Sequence, residues 1–180
     1  MGFERKTAKL PSGDVPYFVA GAGTPLLYLH PAGGIAISKP LEALAERHTI
    51  YMPVTPGFDG TPTHEGIRSM EDLADLAASF VTTMIGKRCD VIGQSFGGWQ
   101  ALWLAVRHPD KLDHLVLQVP AGEGKMGKVE FARSYTLKPG MAHLYNEGDL
   151  HSPRRDAPTK LLRIEGKNLD TVRRFGYRAA

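Results

Sequence analysis

Short, uninterrupted apolar runs bounded by turn residues constrain this chain more than any other feature. Leu26-Leu27-Tyr28-Leu29 lies between Gly21-Ala22-Gly23-Thr24-Pro25 and His30-Pro31-Ala32-Gly33-Gly34. Asp90-Val91-Ile92-Gly93 is a second such run, and Leu112 to Val119 a third. Runs this short and this apolar suit strands covered on both faces, as in parallel sheets. Parallel neighbours need crossover connections, and the sequence supplies helical ones. Residues 38–47 read as a helix with Ser38 at its N-cap and Pro40 in its first turn. Ser69-Met70-Glu71-Asp72 has the form of a capping box with Asp at the third helical position. Leu73, Leu76, Phe80 and Met84 follow at spacings of three and four, and Gly86 closes the helix. Trp99 to Arg107 reads as an apolar helix stopped before Pro109.

Strands at 3–10 and 15–20, joined by Pro11-Ser12-Gly13-Asp14, form an N-terminal hairpin, and 49–54 is a further strand. The expected fold class is therefore α/β, a mostly parallel sheet with helices on both faces. After Ala121 the buried apolar strands cease, and only helical stretches at 128–135 and 159–175 remain. The division expected is a core of six strands over 1–122 and a helical region over 123–180.

Composition bounds the class. The 180 residues are 42% hydrophobic and 23% charged, which excludes collagen-like and disordered chains. Cys89 is the single cysteine, so no internal disulfide forms, and this fits a reducing compartment. No apolar run approaches the ~20 residues of a membrane span. The first residues lack the apolar core of a signal peptide, so a cytoplasmic location is expected. The net charge is +3, but residues 151–180 carry eight Lys/Arg against three Asp/Glu. Without interleaved aromatics or a nucleic-acid motif, that segment reads as a solvated helical face rather than a nucleic-acid site.

The chemistry concentrates in Gly93-Gln94-Ser95-Phe96-Gly97-Gly98, between an expected buried strand and an expected helix. That is the context a Gly-x-Ser-x-Gly nucleophile elbow requires. Small residues two before and two after the serine permit close backbone approach, while the serine carries a strained conformation. The turn exposes the Ser95 hydroxyl at the carboxyl end of the sheet and at a helix start, where the dipole favours developing negative charge.

Taken in order, Tyr28-Leu29-His30-Pro31-Ala32-Gly33, Met52-Pro53, Pro56-Gly57-Phe58, the elbow Gly93–Gly98, Arg107-His108-Pro109 and Leu115-Val116-Leu117 resemble the α/β-hydrolase superfamily. The likeness is to its esterases, epoxide hydrolases and ring-fission hydrolases, and it runs from about residue 15 to residue 120. It departs at Pro31, where the family more often has Gly. The resemblance implies acyl transfer with Ser95 as nucleophile and a small carbonyl compound as substrate. It also implies an oxyanion hole made by the N–H groups of Phe96 and Ala32, with Gly33 as the alternative. Pro31 has no N–H and cannot serve. No cofactor and no metal are implied.

The resemblance also exposes a gap. The family orders its triad as Ser, acid, His, and the last two follow later strands. No strand with a trailing Asp and no late Gly-His element is found, so the sheet is expected to lack its last two strands. The region after residue 122 resembles the start of a helical cap, and a truncated chain is expected. Of the seven histidines, His30 belongs to the oxyanion loop, and His48, His108 and His114 fall at the far end of the sheet. His64 lies in a loop at the correct end, and His143 and His151 lie in the cap-like region. Glu123 stands where some relatives carry an alternative acid.

Other patterns weigh less. Asp59, His64 and Glu65 share a loop but lack metal-ligand spacing. Gly21-Ala22-Gly23 precedes a strand rather than a helix, so it fails as a dinucleotide motif. Trp99 and Trp103, four apart, read as core. Two functions therefore stand: a serine hydrolase, or a catalytically incomplete binding protein that associates through an exposed sheet edge.

Overall fold

The computed structural model describes residues 2–121. Strands β1 (Glu4–Leu10) and β2 (Gly13–Ala20) form the expected hairpin, in antiparallel register from Glu4 against Val19 to Leu10 against Gly13. β3 (Thr24–Leu29), β4 (His48–Pro53), β5 (Cys89–Gln94) and β6 (Leu112–Gln118) follow. They join the hairpin in one sheet of order β1-β2-β4-β3-β5-β6. β2 runs antiparallel to β4, and the β4–β3, β3–β5 and β5–β6 pairs are parallel. The carboxyl ends of β3, β4, β5 and β6 therefore point the same way, and the loops after them share one end of the sheet.

Helices α1 (Lys39–Leu44), α2 (Met70–Phe80) and α3 (Phe96–Arg107) connect these strands. Alternation along β3 sorts them onto two faces. Leu27 and Leu29 are buried in a core with Leu73, Ala77 and Phe80 of α2 and Ala101 and Leu104 of α3. Leu26 and Tyr28 point the other way, to Leu41 and Ala45 beside α1 and to Ile50 and Met52 of β4. The expected covering of both faces is thus observed. Between β5 and β6 the α1 face is thinner, and Val116 stays 52% exposed.

The α2 start is the expected capping box: the Asp72 N–H donates to Ser69 Oγ at 3.1 Å, and the Ser69 N–H donates to Asp72 Oδ2 at 2.9 Å. The end of α2 differs from expectation. Val81–Ile85 widens into a π-helical turn, closed by the Gly86 N–H donating to the Val81 carbonyl at 2.8 Å. α3 also differs: it begins at Phe96, not at Trp99, because helical geometry starts directly after Ser95. The stretches at 128–135 and 159–175, and the division at residue 122, lie outside the described residues. Among the described residues, no helix is long and apolar enough to cross a membrane.

Candidate active site

Ser95 sits between the last residue of β5 and the first of α3, with φ 51° and ψ −112°. A non-glycine residue there is strained and persists only where its surroundings over-determine it. Here they do. The Ser95 N–H donates to the Gln118 carbonyl at 3.0 Å. The Ser95 carbonyl accepts from Trp99 N–H at 3.1 Å and from Ala121 N–H at 2.9 Å. The last residue of β6 and the segment just after it thus hold both backbone groups of the strained residue. Val119, within that clamp, has φ 46°, a second unfavourable conformation and an outlier for a β-branched side chain.

The elbow glycines are required by close approach. A Cβ on Gly97 would stand 2.1 Å from the Leu29 carbonyl oxygen, and one on Gly93 would stand 2.5 Å from the Gly97 oxygen. These neighbours are backbone and cannot swing aside. Gln94, the variable residue of the elbow, faces α1's side of the sheet, where Tyr28 Oη donates to its Oε1 at 2.5 Å. Burial raises the Tyr28 pKa, so the phenol keeps that proton.

The loop after β3 approaches the same end of the sheet. Residues 31–34 form a turn closed by the Gly34 N–H donating to the Pro31 carbonyl at 3.0 Å, with Ala32 and Gly33 at its centre. His30 anchors it from below. The ring is 1% exposed, its Nδ1 lies 2.8 Å from the Pro31 carbonyl, and its Nε2 lies 3.0 Å from the Thr55 nitrogen. The amide can only donate and the carbonyl only accept, so His30 is the neutral Nδ1–H tautomer. Burial pushes its pKa down, against the smaller raising effects of the Pro31 carbonyl and Asp59. Phe58, fully buried, packs its ring 5.2 Å from His30 and 5.4 Å from Phe96, so one side chain spans both halves of the site.

The other described histidines are placed elsewhere. His108 Nε2 lies 2.6 Å from Asp75 Oδ1, and Arg107 grips the same carboxylate at 2.8 Å through Nε and Nη2. The Arg107 bonds, with His108, hold the Asp75 carboxyl below the usual range. His114 lies near the start of β6, at the far end of the sheet, with Nδ1 2.7 Å from Asp90 Oδ1. His48 opens β4 at the opposite end of the sheet. His64 packs against Gly13 in the β1–β2 turn, with two strands between that hairpin and β5. His143, His151 and Glu123 lie outside the described residues. Cys89 is buried, and burial raises its thiol to about 11, which makes it inert. Among the described residues no group of three His, Cys, Asp or Glu could hold a metal ion.

The sequence carries no local signal for the Thr55–His30 bond, the Phe58 bridge or the Tyr28–Gln94 pair. Asp59-Gly60 carried one usable signal, since Asp-Gly marks a tight turn. Residues 24–145 match the α/β hydrolase fold family. The chain belongs to that family. A 2-hydroxymuconate semialdehyde hydrolase of Pseudomonas sp. (strain CF600) is 31% identical over 109 residues, covering 57% of this chain and 38% of that protein. A pimeloyl-[acyl-carrier protein] methyl ester esterase of Aeromonas hydrophila is 31% identical over 98 residues, covering 53% of this chain and 37% of that protein. An α/β fold family hydrolase of Bacillus anthracis shares the fold with TM-score 0.66 and 17% identity, over 97% of this chain and 74% of that one. The matched segment spans less than half the length of the two curated relatives.

Proposed function

We propose that this chain carries the nucleophile side of a serine hydrolase acting on an ester-like or related carbonyl compound of small size, with Ser95 as nucleophile. The observation that carries the reading is the strained Ser95 backbone, held from both sides at a strand-to-helix turn. A serine held this way gains nothing for stability, and such strain gathers at functional positions. In this mechanism Ser95 Oγ attacks the substrate carbonyl carbon and transfers its proton to a histidine base. The N–H of Phe96, first residue of α3, and that of Ala32 receive the oxyanion, with Gly33 beside Ala32. The base then protonates the leaving group, and water releases the acyl group from Ser95.

The base and its orienting acid are to be sought outside residues 2–121. His30 has both ring nitrogens engaged, and His108 and His114 serve Asp75 and Asp90. No cofactor enters this chemistry. A cytoplasmic setting belongs to the same reading, supported by the single cysteine. A fluorophosphonate probe tests the nucleophile. A protein that carries the base and acid together with this chain should label at Ser95, and its Ser95→Ala variant should not. Equal labelling of both proteins would sink the assignment.

A binding role through the sheet edge has one observation in its favour. The outer strand β1 is lined with exposed Glu4, Arg5 and Lys6, charges that discourage pairing, whereas β6 carries Leu115, Val116 and Leu117 with Val116 exposed. Light scattering decides it: concentration-dependent association abolished by Val116→Lys supports this reading, and a monomer at all concentrations removes it.

A further inference from the structure

Asp59 lies in the loop after β4, where its charge raises the His30 pKa slightly against burial. Phe58-Asp59-Gly60-Thr61 is a tight turn, closed by the Thr61 N–H donating to the Phe58 carbonyl at 2.9 Å. Asp59 and Gly60 have φ 49° and 77°, the signs of a type I′ turn. Such a turn accepts Asn, Asp or Gly at its first central position, and Gly most easily. The turn alone therefore does not account for the carboxylate, which is directed at the neighbouring loop. Asp59 Oδ2 accepts the Ile35 N–H at 2.9 Å. Gly34, with φ 87°, leaves a space that the same carboxylate fills: a Cβ there would stand 2.1 Å from Asp59 Oδ1.

The 31–35 loop is thus fastened twice to the loop after β4. His30 ties its first residue to Thr55 from beneath, and Asp59 ties its last residue from the rim. Ala32 and Gly33 lie between the two ties. We propose that Asp59 is a positioning residue for the oxyanion loop, its side chain setting where Ala32 and Gly33 stand relative to Ser95. This rests on the serine-hydrolase reading above. Asp59 itself touches no reacting atom. It acts through Gly34 and Ile35.

The test compares Asp59→Gly, which keeps the turn and removes the acceptor, with Asp59→Asn, which keeps both. Two quantities are read on the full chain: amide hydrogen exchange at Ile35, and the rate at which a fluorophosphonate labels Ser95. Loss of one such bond corresponds to about tenfold. Asp59→Gly should speed Ile35 exchange and slow labelling by about that factor, with the melting temperature little changed, and Asp59→Asn should restore most of both. If Asp59→Gly does not fold, Gly34→Ala displaces the carboxylate from the other side and should slow labelling alike. Labelling of Asp59→Gly at the parent rate overturns the proposal, and so does an Asp59→Asn as slow as Asp59→Gly. A parent that carries the histidine base and still never labels at Ser95 removes the nucleophile reading and this role with it. In that case faster Ile35 exchange in Asp59→Gly would still show that the two loops are tied.

Discussion

The Thr55 N–H donates to His30 Nε2 at 3.0 Å, and this bond fixes His30 as an acceptor at that nitrogen inside a fully buried pocket. A proton at Nε2 would face an amide donor and have no acceptor. Burial and this donor therefore act in the same direction.

The consequence is a pH dependence of stability. His30 has its folded pKa lowered, while in the unfolded chain it titrates at about 6.5. Below that pH the unfolded state binds a proton that the native state refuses, so stability falls as pH falls. The stabilisation is complete above about pH 6.5 and declines below it. Urea unfolding midpoints should drop between pH 7.5 and 5.5, and the drop should be smaller in His30→Gln. An identical slope in the variant would show that other groups set it.

The Gly97 position makes a sharper demand. Its missing Cβ would stand 2.1 Å from the Leu29 oxygen and 2.7 Å from the His30 oxygen, both backbone. Gly97→Ala must push α3 away from β3, and overpacking of this kind costs about 3 kcal/mol or more where the backbone must move. Gly66 has open space around it, so Gly66→Ala should stay within about 0.5 kcal/mol of the parent. Denaturant melts of the two variants measure the contrast, and a mild Gly97→Ala would refute the close approach.

Much of this arrangement was legible before the structure. Continuous apolar runs located β3 and β5, and Ser69 with Asp72 announced the α2 cap, because these signals are local. The Gly-x-Ser-x-Gly string also marks a tight strand-to-helix turn, since Gly93 and Gly97 meet backbone where a Cβ would stand. What escaped were contacts between distant segments. The spacing of Asp59, His64 and Glu65 argues only against a metal site, and nothing local announces that the Asp59 carboxylate accepts from Ile35, 24 residues earlier. His64 was at the correct end of the sheet by loop position, but its ring packs on Gly13 in the hairpin. The π turn at Val81–Ile85 left no trace in the spacing of three and four, because Met84 continues the stripe that the turn then distorts.

Asp75 joins α2 to the end of α3. Arg107 binds its carboxylate through two nitrogens at 2.8 Å, and His108 adds a third contact. The Arg107 and Asp75 side chains are 40% and 44% exposed, so water and salt screen the pair. Asp75→Ala should cost about 1 kcal/mol at low salt and less at high salt. The Asp75 carboxyl is depressed in the fold, so its contribution is present above the unfolded carboxylate pKa near about 4 and disappears as pH falls through the folded value. Thermal melts of parent and variant at two salt concentrations measure it. An unchanged difference at high salt would mean that packing, not charge, dominates.

Ser95 should show a conflict between stability and reactivity. Its φ of 51° with ψ of −112° is sparsely populated for any residue with a Cβ, and such strain amounts to about 1–3 kcal/mol. Glycine adopts the same backbone at little steric cost but loses more entropy on folding, by about 1 kcal/mol. The Ser95 hydroxyl makes no helix-cap hydrogen bond among the described residues, and Ser95 is held by its backbone through Gln118, Trp99 and Ala121. Ser95→Gly should therefore match or exceed the parent in stability, by up to about 2 kcal/mol, while losing fluorophosphonate labelling entirely. Ser95→Ala keeps the strain and should lose labelling without that gain. The comparison of the two variants in urea separates backbone strain from the loss of the hydroxyl. A Ser95→Gly less stable than Ser95→Ala would mean that the Gln118 and Ala121 bonds impose no strain on this turn.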